Sequence, residues 1–153
     1  MKMLRAMVMA LLLGSLPMVA LADGAKIIKV LPHLLDKNGK NAVAPSLFER
    51  DAYQAHLRLH PQDVYGVRYD VQWRNRQSHE TTLKLRLQIR SDNTKNSTPT
   101  LIETEVKPTR YWSRWSSILI PADTYKKLGH VISWKVELLS GEEVIAQQSS
   151  FLW

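Results

Sequence analysis

Val67-Arg68-Tyr69-Asp70-Val71-Gln72-Trp73-Arg74 and, after a polar break, Leu83-Lys84-Leu85-Arg86-Leu87-Gln88-Ile89-Arg90 decide how this chain reads. In both runs every second residue is apolar and the residues between are charged or polar. Successive side chains of a strand point to opposite faces, so each run has one apolar face and one charged face. A helix does not suit the second run, because apolar residues at every second position would spray around its axis. Two one-sided strands need a core over their apolar faces, and the rest of the chain must supply it.

Working outward, Ala25–Leu35 reads as an edge strand over Lys26–Leu31 that continues past a kink at Pro32, since proline in a strand belongs at an edge or a bulge. Asp36-Lys37-Asn38-Gly39 is a tight turn. Ser46-Leu47-Phe48-Glu49 has the S-x-x-E form of a capping box, Phe48, Ala52, Ala55 and Leu59 then share one helical face, and Pro61 is a natural stop. Tyr53, Ala55, Leu57 and Leu59 also alternate as a strand would, but the cap and the stop agree on a helix over Leu47–Leu59. Ser91–Pro99 is a polar hairpin tip or longer arch. Strands follow over Thr100–Lys107, ended by Pro108, and over Tyr111–Ile120, ended by Pro121. Pro121–Gly129 is one short helical turn closed by glycine. His130–Leu139, with Ile132, Trp134, Val136 and Leu138 on one face, and Val144–Trp153 form a C-terminal hairpin around Ser140-Gly141-Glu142-Glu143.

Six or seven strands in about 130 residues, with turns every 8–12 residues late in the chain, is the signal of an antiparallel sandwich. Trp73 in an early central strand, with Tyr125 a few residues before a later one, resembles immunoglobulin-like or fibronectin-like packing. The cysteine pair and the usual tyrosine-corner spacing are absent, so the resemblance is to the fold and identifies no family. The expected fold is all-β: an immunoglobulin/fibronectin-like β-sandwich with a short helical insertion. A single closed barrel is the alternative.

The first 22 residues read as a secretory signal peptide. Lys2 and Arg5 make a positive start, Ala6–Leu13 an apolar centre broken by Gly14, Ser15 and Pro17, and Ala20-Leu21-Ala22 a cleavage site before Asp23. The apolar centre is shorter than the roughly 20 residues a membrane span needs. Residues 23–153 are then one domain, expected in the periplasm or secreted, with no transmembrane segment after signal removal. The sequence contains no cysteine, which excludes disulfides, thiol catalysis, cysteine-zinc sites and a lipid-modified N-terminal cysteine. All five methionines lie in the signal, so methionine-rich copper sites are excluded as well. Without Lys2 and Arg5 the basic count falls from 21 to 19 against 14 acids, about +5. A basic surface favours anionic partners. Export argues against nucleic acid as one of them.

Candidate chemistry is sparse. His56 and His60 have the spacing of two metal ligands on a helix, but no glutamate follows His56, and Arg50 and Arg58 would repel a cation. They read instead as surface histidines comfortable near a helix C-terminus. Glu49 and Asp51 complement a helix dipole. Glu103 and Glu105 share a strand face without the context of a glycosidase. Asn96-Ser97-Thr98 matches a glycosylation sequon that an exported bacterial protein has little use for. Ser150-Phe151-Leu152-Trp153 reads as core closure by the last strand, or as a strand end that a partner pairs with.

The most informative stretch is Arg110-Tyr111-Trp112-Ser113-Arg114-Trp115-Ser116. As a strand it places Arg110, Trp112 and Arg114 on one face and Tyr111, Ser113 and Trp115 on the other. An outward tryptophan flanked by arginine can stack on sugar rings or meet a membrane interface, with guanidinium groups reading carboxylate or phosphate. The competing reading buries both tryptophans under arginine stems. No catalytic residue, metal site or cofactor site is assigned, and Arg110, Trp112, Arg114 and Trp115 are the candidate partner-binding residues. The function expected first is a non-catalytic binding or adaptor module of the bacterial cell envelope with a protein partner. The second is a carbohydrate- or anionic-lipid-binding module using the aromatic/Arg surface. An enzyme comes last, because no nucleophile, base and orienting group assemble.

Overall fold

A computed structural model of the chain describes residues 24–76, 82–93, 98–108 and 112–153. The expected signal segment, residues 1–22, and Asn96 and Ser97 of the sequon lie outside the described residues. The elements, in chain order, are β1 (Ala25–Asp36), α1 (Leu47–Leu59), a 3-10 turn (Pro61–Asp63), β2 (Val64–Asn75), β3 (Leu83–Ser91), β4 (Thr100–Val106), β5 (Arg114–Pro121), α2 (Ala122–Leu128), β6 (Val131–Ser140) and β7 (Glu143–Ser149). They form two antiparallel sheets, β1-β2-β5 and β4-β3-β6-β7. The chain changes sheet after β2, β4 and β5, so this is an immunoglobulin-like sandwich and not a closed barrel.

The two alternating runs do not hydrogen-bond to each other. β2 and β3 belong to opposite sheets. Their apolar faces, Tyr69, Val71 and Trp73 from one and Leu83, Leu85, Leu87 and Ile89 from the other, are at most 1% exposed and belong to a single core. Each such side chain contributes about 1.5–3 kcal/mol of burial. The Trp73 indole keeps its polar group satisfied by donating from Nε1 to Ser116 Oγ on β5 at 3.0 Å.

β1 is an edge strand, as Pro32 implies, and carries a bulge between Ile27 and Lys29. Its last residue, Asp36, is buried under the following turn, where its carboxylate accepts from the Asn38 and Lys40 N–H groups (2.8 Å each) and from the Tyr53 hydroxyl (2.7 Å). Burial works against that carboxylate, but the three donors outweigh it and hold the Asp36 carboxyl below its ordinary value.

α1 spans the expected residues and starts at the expected cap, with Ser46 Oγ accepting from Glu49 N at 3.4 Å. The face it packs is different. Leu57 and Gln54 are buried, whereas Phe48 and Leu59, at the two ends of the apolar stripe, are 82% and 78% exposed. The reason is hydrogen bonding. Gln54 Oε1 accepts from Leu34 N, and its Nε2 donates to the Leu34 and Asn41 carbonyls, all at 2.9 Å. Peptide groups on the outer side of an edge strand need polar partners when covered, and an apolar stripe could not supply them.

Two strand ends differ from expectation, while α2 closes at the expected glycine. β5 begins at Arg114, so the alternation does not reach back to Tyr111, which lies outside the described residues. α2 ends at Leu128 and is closed by Gly129, whose φ of 74° is easy only for glycine and whose N–H reaches Tyr125 O at 3.0 Å. β7 stops at Ser149 rather than running to Trp153. Ser150 exchanges bonds with the Trp134 backbone (2.9 Å through N–H, 3.0 Å through Oγ), and the chain then turns away, leaving Phe151 wholly exposed. The tail therefore does not close the core.

Two consequences are measurable. Gly66 lies between Leu35 and Pro121 in the β1-β2-β5 sheet, and a Cβ there would run into the Ile120 carbonyl oxygen, which is backbone and cannot swing away. Gly66→Ala should cost about 1–3 kcal/mol in urea unfolding; an unchanged midpoint would refute this tight approach. For Asp36, a lowered folded pKa means stability that is complete above the unfolded value and lost as pH falls through the folded one. Asp36→Asn should therefore lower stability at pH 7 and flatten its decline below pH 3.8, the ordinary value of the group. A parallel decline in wild type and variant would show that the turn does not depend on the carboxylate.

Candidate functional site

The outer faces of the two sheets differ in how their charges are matched. On β4-β3-β6-β7, Arg86 Nε lies 2.7 Å and Lys84 Nζ 3.9 Å from Glu103, while Lys135 (2.8 Å), Gln88 (2.9 Å) and Arg86 (3.6 Å) converge on Glu137. The hydrogen bond from Arg86 holds the Glu103 carboxyl below its usual range, so this glutamate stays ionised and is unsuited to acid catalysis. Beside this network the ring of Trp153 lies under the Arg90 guanidinium at 4.3 Å and near Lys135 Nζ at 5.3 Å.

The outer face of β1-β2-β5 is built row by row from its register. Lys26 of β1 stands opposite Arg74 of β2. The next row is Lys29, Gln72 and Trp115, and the next Leu31, Asp70 and Ser117. After it come His33, Arg68 and Leu119. Among the described rows Asp70 is the carboxylate of this face, and it is already engaged. Arg68 Nε (2.9 Å) binds it, Ser117 Oγ donates to it at 2.6 Å, and His33 Nε2 lies 3.7 Å away. Burial lowers the His33 pKa; Asp70 opposes that shift, and Arg68 and Arg50 reinforce it. Serine and histidine here share a carboxylate instead of touching each other, so the trio does not activate a nucleophile.

Past Gln72, toward Lys26 and Arg74, the described rows carry no acid. Lys26 and Arg74 are like charges directly opposite each other, a pairing that costs stability. The buried Nε of Arg74 has no hydrogen-bond partner among the described residues. Trp115 sits beside this basic corner, 49% exposed, and Trp112, just ahead of β5, is 81% exposed. Both tryptophans therefore face outward, against the reading that buries them. Gln72 donates to Ser113 Oγ at 3.1 Å and so ties the approach segment to β2.

Of the four residues singled out from the sequence, Trp115 joins the outer basic face. Arg114, opposite Trp73, is exposed at the end of the sheet on the other side of the strand. Trp112 precedes the strand and shares no strand face with Arg114, and Arg110 lies outside the described residues. Lys26, Lys29 and Arg74 were not picked out from the sequence. The alternation of β2 marks Arg74 as outward, but only the pairing of β1 and β5 with β2 assembles the three strands into one surface.

Elsewhere the histidine pair is a ring stack, 4.1 Å between centroids, with His60 Nδ1 at 2.9 Å from the His56 carbonyl. Among the described residues no group of three or more potential ligands is placed to hold a metal ion, and no helix is long and apolar enough to cross a membrane.

No protein-family model matches the chain, and a search of curated proteins found no match. Among solved structures, the chain is similar to an immunoglobulin-like protein from Pseudomonas aeruginosa, at 12% identity over 85% of this chain and 96% of that one, with a TM-score of 0.38. The fold class rests on the chain's own strand order and shared core: an all-β, immunoglobulin-like sandwich with a helical insertion.

Proposed function

We propose that this protein is a non-catalytic binding module of the bacterial cell envelope that engages a carboxylate- or phosphate-bearing glycan on the outer face of β1-β2-β5. The observation that carries this reading is the acid-free corner where exposed Trp115 shares a row with Gln72 and Lys29, next to the row of the facing pair Lys26 and Arg74. A flat indole offers a stacking surface for a sugar ring, and the cations around it favour the acidic substituents. The mutual repulsion of Lys26 and Arg74 in the free protein would be relieved by an anion between them. A secretory address for residues 1–22 would bring this surface to such polymers.

A second reading, an adaptor for an envelope protein, draws support from a different surface. Phe48 and Leu59 of α1, with Leu47 beside Phe48, form an apolar stripe open to solvent, and such patches commonly mark protein contacts.

The two readings separate on titration with a polyuronate. Tryptophan emission should change, Trp115→Ala should weaken the interaction roughly tenfold, equivalent to about 1.4 kcal/mol, and added salt should weaken it further. A Phe48→Ser, Leu59→Ser double variant should bind the polyuronate as the wild type does. Absence of any emission change, or equal binding by Trp115→Ala, would rule against the glycan reading.

A further inference from the structure

A cavity of about 260 Å³ opens between the two sheets on the α1 side, and neither the basic face nor the sequence motifs account for it. Val67 and Tyr69 of β2 lie deep in it, Leu34 of β1 and Trp134 of β6 flank it, and Ile132, half exposed, stands at its rim. The Tyr69 and Trp134 rings meet edge-to-face, 6.2 Å between centroids, and so fix the apolar lining in place. Arg58, from the last turn of α1, reaches the same cavity.

Its size and polarity select an occupant. An apolar cavity of about 150 Å³ already holds a benzene-sized guest, so this one has room for a medium-length acyl chain. No carboxylate lines it, and Arg58 makes no ion pair among the described residues. The lining is mixed: beside its apolar part, His33, Gln54 and His130 add polar groups, and Arg58 is its guanidinium, a set complementary to a chain that ends in an anion. Tyr125 also lines the space, and burial pushes its hydroxyl up in pKa against the opposing pull of Arg58, so it remains a neutral donor.

We infer that this cavity is a binding site for a medium-chain carboxylate, with the acyl chain over Val67 and Tyr69 and the carboxylate at Arg58. The site is separate from the basic outer face and does not depend on the glycan reading.

The test is calorimetric titration of the folded protein with octanoate, and with octanol as the uncharged counterpart. Octanoate should bind more tightly than octanol. Arg58→Ala, at an exposed helix position, should weaken octanoate about five- to tenfold and leave octanol unchanged. Ile132→Trp, at a half-exposed rim position that tolerates a larger side chain, should block both ligands; circular dichroism of each variant checks that it is folded. Absence of octanoate binding at millimolar concentration would overturn the inference. Equal octanoate affinity in Arg58→Ala would remove the carboxylate contact, and unimpaired binding to folded Ile132→Trp would place the ligand elsewhere.

Discussion

Water is excluded between two strands that share no hydrogen bond, and the rest of the structure depends on that exclusion. Tyr69, Val71 and Trp73 on β2 and Leu83, Leu85, Leu87 and Ile89 on β3 must be covered, and with a side-chain period of two each strand can satisfy this in one orientation only. Once β2 and β3 are central in opposite sheets, β1 and β5 can add only beside β2, and β4 and β6 only beside β3. A slip of one residue would bring Arg68, Asp70, Gln72 and Arg74 into the core. The alternating pattern thus sets orientation as well as strand identity.

The same alternation creates two outer faces, and the chain treats them differently. On β4-β3-β6-β7 the cations sit among Glu103 and Glu137 and are spent on one another. On β1-β2-β5 the charge of Asp70 is shared among Arg68, His33 and Ser117, which leaves Lys26, Lys29 and Arg74 with no acid beside them in their rows. Surface ion pairs contribute little to stability, so this contrast bears on recognition more than on folding. A surface with uncompensated charge and an exposed indole retains interaction capacity that a neutralised network has already used.

Much of the architecture could be read directly, because it depends on local pattern. The strands of β2 and β3 followed from alternation, α1 from Ser46 and Pro61, and the C-terminal hairpin from its Gly141 turn. What could not be read depends on neighbours. The packed face of α1 is one of these: hydrophobicity points to Phe48 and Leu59, whereas Gln54 is selected by the hydrogen-bonding needs of Leu34, 20 residues away in sequence. The end of β7 is another: an aromatic tail resembles a strand, and the bonds between Ser150 and the Trp134 backbone at the point where it turns outward are tertiary. At the candidate surface, Trp112 and Trp115 announce themselves by composition. Their basic companions emerge only from strand register.

The side-chain amide of Gln54 occupies the place where another strand's backbone would bind, offering one acceptor and one donor to Leu34. Two residues earlier, Pro32 has no N–H to offer. Together they make this side of the sheet a poor template for polymerisation, so a second molecule could not extend it there without first lifting α1 away. The helical insertion thus shields this part of the β1 edge from pairing with another strand.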